Sequence, residues 1–146
     1  MRTDSPVRPL GRLARAAIVL DAFLAIGALG GGLALILGPR GEILPLKVSQ
    51  LSGSPFDTFL VPGLILFVVL GLGPLGAAAM TWLRHSLAPI ATLLVGFALL
   101  TWLAVEIAVV GYTNDPPLQP FYLVLGVVIA VVGLAWMVET LSLIHI

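Results

Sequence analysis

Apolar residues in this chain come in long unbroken runs, separated by short clusters of Pro, Gly and charge. A membrane-crossing helix needs about 20 predominantly apolar residues at a rise of about 1.5 Å each. Four runs reach that length, at about 12–37, 57–82, 87–111 and 120–142. The pattern predicts an all-α fold: one domain over 1–140, built as a four-helix transmembrane bundle. Gly38-Pro39 closes the first run, because glycine suits the residue after a helix and proline cannot continue one. Leu83 to Ser86 is so short that the second and third helices must be antiparallel neighbours. YTNDPPLQ, Tyr112 to Gln119, is a turn-rich loop. The longer loop from Arg40 to Gly53 alternates weakly through Leu44, Leu46, Val48 and Leu51. It is too short and polar to cross, and is expected to be an interfacial helix or hairpin.

The second run begins SPFD. Ser54 is expected at the N-cap, Pro55 at the first helical position and Asp57 at the third, facing the positive end of the helix dipole. Deep in the same run Pro74 follows Gly71 and Gly73. It removes a backbone donor and crowds the carbonyl of Leu70, which predicts a kink between Leu70 and Pro74. In the first run Gly27 and Gly31 form a GxxxG pair, a spacing that lets two helix backbones approach closely. Its partner is expected to be either a second copy of the chain or a neighbouring helix of the same bundle.

Composition agrees with the pattern. Hydrophobic residues make up 60% of the 146, charged residues 10%, and the mean hydropathy is +1.15. A soluble domain carries roughly 25% charged residues. The formal net charge of zero implies no polyanionic partner, so no nucleic acid is expected. There is no cysteine, which excludes disulfides and thiol chemistry. One lysine against six arginines, with abundant Ala, Gly, Leu and Val, points to a GC-rich bacterial genome. Basic residues gather at one end: Arg2, Arg8, Arg12, Arg15 and Arg84. Only Arg40 and Lys47 lie at the other. The positive-inside rule then places both termini in the cytoplasm, in a multi-pass protein of the bacterial inner (cell) membrane.

The last six residues, LSLIHI, read differently. One back-translation, CTG TCT CTT ATA CAC ATC, matches the transposon-end adapter of short-read sequencing libraries. Leu141 to Ile146 are therefore expected to be adapter translated as protein, with the native sequence departing after Thr140. The alternative is an ordinary apolar helix end. His145 is accordingly not taken as a site residue.

A charge near the bilayer centre costs ~2.5–3.5 kcal/mol on insertion scales, so acids within the runs need a role. Asp21 has only apolar neighbours on its own helix, Ala17, Ile18, Leu24 and Ala25; Thr92 should lie at similar depth. Glu106 sits nearer the other end, within reach of Arg40, Lys47, Tyr112 and Tyr122. Glu139 is expected at the interface, near Arg15 or Arg84. Asp21 and Glu106 are the candidate intramembrane acids, either as a proton or cation site or as hydrogen-bonded ties between helices. Trp82 fits an interfacial anchor, and Trp102 a core position. No Ser–His–Asp set, HExxH, zinc spacing or glycine-rich phosphate loop is present. The expectation is no enzyme, no metal and no cofactor. The expected partners are the lipid bilayer and either a homo-oligomer or a larger membrane complex.

SPFDTFLVPGLILFVVLGLGPLGAA together with VEIAVVGYTNDPPLQPFYLVLG resembles a group of small, uncharacterised four-span integral membrane proteins of bacterial, actinobacterial type. The resemblance covers the second to fourth helices and implies a class without a mechanism. The favoured expectation is a non-catalytic packing or complex-associated component; the alternative is a proton- or cation-coupled carrier component using the intramembrane acids.

Overall fold

The computed structural model describes residues 9–44, 46–112 and 118–144; the arm bearing Arg2, Asp4 and Arg8, the loop at 113–117 and His145 lie outside them. The described chain is all helical, with no strand, and has four helices long and apolar enough to cross a membrane. They are α1 (Arg12–Leu37), α2 (Leu60–Trp82), α3 (Ala88–Val110) and α4 (Leu118–Ile144). The final helix continues through Leu141–Leu143 without a break at Thr140.

The helices form two hairpins, α1–α2 and α3–α4, and the most extensive packing is inside each hairpin. The hairpins meet where α1 lies along α4 and α2 along α3. α1 also touches α3 across one diagonal, whereas among the described residues the backbones of α2 and α4 do not approach closely. Lipid offers apolar helices no less favourable surroundings than each other, so close packing rather than escape from water must hold such a bundle. Glycine supplies that closeness at both hairpin seams. A methyl group added to Gly32 would lie 2.8 Å from the backbone nitrogen of Phe67 and 2.9 Å from the carbonyl of Gly63. One added to Gly96 would lie 2.5 Å from the backbone nitrogen of Ala130, and one added to Gly133 equally close to that of Leu93.

The GxxxG pair is not the tightest part of the α1 seam. A methyl at Gly31 would meet only Leu66, at 3.6 Å, and Gly27 faces the Tyr122 hydroxyl of α4. The backbone approach falls one residue later, at Gly32, because Gly63 on α2 supplies the matching gap.

α2 begins later than SPFD predicts, and this corrects the cap assignment. Ser54 Oγ donates to the Leu51 carbonyl at 2.7 Å and accepts from the Phe56 amide at 3.2 Å. It closes a turn within the loop, in which Asp57 is exposed. The chain is instead pinned at Phe59, whose amide donates to the Pro39 carbonyl at 2.7 Å, and Leu60 opens the helix. Ahead of this turn, the loop forms a short 3-10 helix, Val48–Leu51. Leu51 and Phe59 are buried with Leu35 and pack against Val109 and Val110, closing that end of the bundle.

Around the expected kink, α2 changes its hydrogen-bond register. Leu60–Ile65 is α-helical, Leu66–Leu72 is π-helical and Gly73–Trp82 is α-helical again. The Gly73 amide donates to the Val68 carbonyl, five residues back, and Pro74 has no amide hydrogen. The Val69 carbonyl is therefore skipped in both registers.

The α2–α3 turn is compact. Arg84 adopts the left-handed conformation at φ 59°, while the amides of Arg84 and His85 donate to the carbonyls of Thr81 and Met80. This is the 6→1 and 5→2 pairing of a Schellman ending. His85 Nδ1 then accepts the Leu87 amide at 3.0 Å as α3 starts.

Candidate functional site

Asp21 stands on the inward face of α1 with Ala14, Ala17, Leu24, Ala25 and Ala28. It is nine residues from the helix start, about 14 Å along the axis. Its side chain is 0% exposed, as is that of Thr92 on α3. Thr92 Oγ1 donates to Asp21 Oδ2 at 2.9 Å, across the diagonal where α1 and α3 meet. Level with Asp21 on α2 lies Ala78, as the register set by Gly32 against Phe67 requires. Alanines there let the three helices close around the carboxyl. The second carboxyl oxygen, Oδ1, is buried and has no hydrogen-bond partner.

Glu106 occupies a separate place. Gln119 Nε2 donates to Glu106 Oε2 at 2.8 Å and to the Gly111 carbonyl at 3.2 Å. Gln119 is buried, at 4% exposure. It ties the end of α3 to the start of α4, replacing the cation or tyrosine partners expected for Glu106. α4 starts at Leu118, two residues before the expected Pro120, and this moves Gln119 from the loop to the first turn, facing α3.

The two acids are not brought together. Thr92, which marks the depth of Asp21, precedes Glu106 by fourteen residues on one helix, an axial separation of about 21 Å. Glu139 is exposed. Trp102 packs against the main core with Leu99, Leu103 and Leu125, and Trp82 is 71% exposed. Among the described residues no group of three or more His, Cys, Asp or Glu side chains could hold a metal ion.

Four long apolar helices suggest a multi-pass membrane protein. In comparisons with known proteins, no family model, curated protein or solved structure matches this chain significantly.

Proposed function

We propose that the protein is a non-catalytic packing or complex-associated component of a bacterial inner membrane, with both termini cytoplasmic. The observation that carries this reading is the use made of the two intramembrane acids. Each accepts a hydrogen bond from a different helix, Asp21 from Thr92 and Glu106 from Gln119. Bonds of this kind fix helices in register and contribute ~0.6 kcal/mol on average in a membrane bundle. All four helices also turn large apolar side chains outward, among them Val19, Ile26, Val68, Phe97 and Val131. That surface suits lipid and the flank of another membrane chain. Crosslinking in native membranes tests the proposal: a discrete adduct with itself or with a larger complex is expected, and free monomer alone would count against it.

The alternative, a proton- or cation-coupled carrier component, draws on the unpartnered Oδ1 of Asp21. It stands second because Asp21 and Glu106 lie about 21 Å apart along the bundle, too far for direct exchange. Unchanged proton flux in proteoliposomes carrying both Asp21→Asn and Glu106→Gln would remove it.

A further inference from the structure

Two polar groups deep in the apolar helices lack a partner, and each lies beside an exposed glycine. The first is a donor. The Tyr122 hydroxyl of α4 reaches across to α1, where it lies 3.0 Å from the place a methyl group on Gly27 would take. Gly27 is exposed. Phe121, edge-on to both Phe23 and Tyr122, frames the spot. Among the described residues the hydroxyl makes no hydrogen bond, although a tyrosine O–H taken out of water usually finds one. The second group is an acceptor. The Gly73 amide passes over the Val69 carbonyl to reach that of Val68, and Pro74 has no amide hydrogen. A helical carbonyl lies beneath the residue four places on. Here that residue is Gly73, exposed and without a side chain, and Val69 itself is 46% exposed.

Both groups lie at one level of the bundle. Across the α1–α2 seam Gly32 faces Phe67 and Leu29 faces Gly71, so Gly27 stands level with Leu72 and Gly73. Gly27 is ten residues from the Leu37 end of α1, about 15 Å along the axis. Acyl chains at that depth supply neither donor nor acceptor, and an unpaired polar group there is costly. We propose that the two groups are halves of one contact between copies of this chain: the Tyr122 hydroxyl of each copy donates to the Val69 carbonyl of the next. The α1–α4 face of one copy then lies against the outer face of α2 in its neighbour.

Complementarity and depth together select a second copy as the occupant. Copies inserted in the same sense can pair a donor with an acceptor only when the two share a level, and these do. A two-fold arrangement satisfies less, because each face would meet itself. The hydroxyl both donates and accepts and can pair with its mate, but two carbonyls cannot pair. The contact is therefore head to tail, and it closes into a ring or runs on as a row according to the angle between the two faces. Exposed glycines on both sides, Gly27 and Gly30 on α1 and Gly73 and Gly76 on α2, allow close helix approach. Methyl groups at Gly30 and Gly76 would meet nothing within 4 Å, so neither glycine is required by packing inside one copy. The proposal rests on the assembly reading above and names its surface and its partner.

Cysteine crosslinking in membranes tests it, since the chain has no native cysteine. Two differently tagged copies are coexpressed, one with Ile26→Cys next to Gly27 and the other with Leu72→Cys next to Gly73. Both positions are exposed, at 74% and 47%. A short thiol crosslinker should join the mixed pair, while copies that all carry the same substitution stay unjoined. Tyr122→Phe keeps the ring and removes the donor; Pro74→Ala offers the Val69 carbonyl an amide from its own helix. Each should lower the mixed band several-fold, and the two together no further than either alone. A missing mixed band, like pairs that link as well as the mixed pair, or a band that survives either substitution overturns the proposal. Should Pro74→Ala fail to fold, the cysteine pairs and Tyr122→Phe carry the decision. An adduct in native membranes without the mixed band removes this contact and leaves the assembly role standing; free monomer in both experiments removes both.

Discussion

At the scale of single residues, the Asp21–Thr92 bond decides how α1 meets α3. Thr92→Val keeps the shape and removes the donor, while Asp21→Leu removes the acceptor. A double-mutant cycle, read by unfolding in detergent, should give a coupling of roughly 0.5–2 kcal/mol, the range measured for hydrogen bonds between membrane helices. Zero coupling would mean that the two side chains meet without holding anything. Arg84 carries a different constraint, since its backbone is left-handed at φ 59°. A β-branched residue tolerates that conformation poorly, so Arg84→Val should lower stability by about 1–2 kcal/mol. Its thermal midpoint in detergent checks this against Arg84→Asn, which should be milder because asparagine visits the left-handed region readily.

Helices as units were legible where a single quantity governed them and obscure where two competed. Run length and apolarity specify all four helices, because a single segment satisfies its own backbone in lipid only as a helix. The depth match of Asp21 and Thr92 follows from counting residues at a constant rise. SPFD misleads because serine before proline serves a turn as well as it serves a helix cap, and the Leu51 carbonyl claims its hydroxyl. The choice lies in the Phe59 to Pro39 contact, which joins residues twenty apart. GxxxG likewise marks glycine-rich helix without saying which glycine meets a gap on the neighbour. Substitutions separate these cases. Gly30→Ala meets nothing within 4 Å and should be neutral or stabilise by up to ~1 kcal/mol through helix propensity. Gly96→Ala drives a methyl into the α4 backbone and should cost about 1–3 kcal/mol by overpacking. Thermal midpoints of the two variants, measured side by side, should move in clearly different amounts. Pro74→Ala offers a new amide to the Val69 and Leu70 carbonyls. It should shorten the π-helical stretch, with added amide protection at residues 73–75 in hydrogen exchange.

For the whole molecule, the arginine asymmetry makes a directional prediction. Reporter fusions after Gly53 and after Asn114 should be active only outside the cytoplasm; cytoplasmic activity at those sites would invert the bundle. The four-helix architecture is readable from the sequence, but its pairing is not. Which helices share a diagonal depends on where glycine gaps coincide, at Gly32 with Gly63 and at Gly96 with Ala130. Those coincidences exist only between chains of side chains already folded side by side.

The backbones of α2 and α4 do not approach closely among the described residues, and this has a consequence for how the molecule can be divided. Each hairpin is complete in its own seam, and the only covalent link between them is the exposed stretch at Arg84–Leu87. The fold is thus two unlike hairpins packed side by side. Coexpressed as separate polypeptides, 1–84 and 85–146 should find each other in the membrane and copurify. The recognition surface between them would be the α1–α4 and α2–α3 faces, with the Asp21 carboxyl and the Thr92 hydroxyl as a polar pair that helps specify the match.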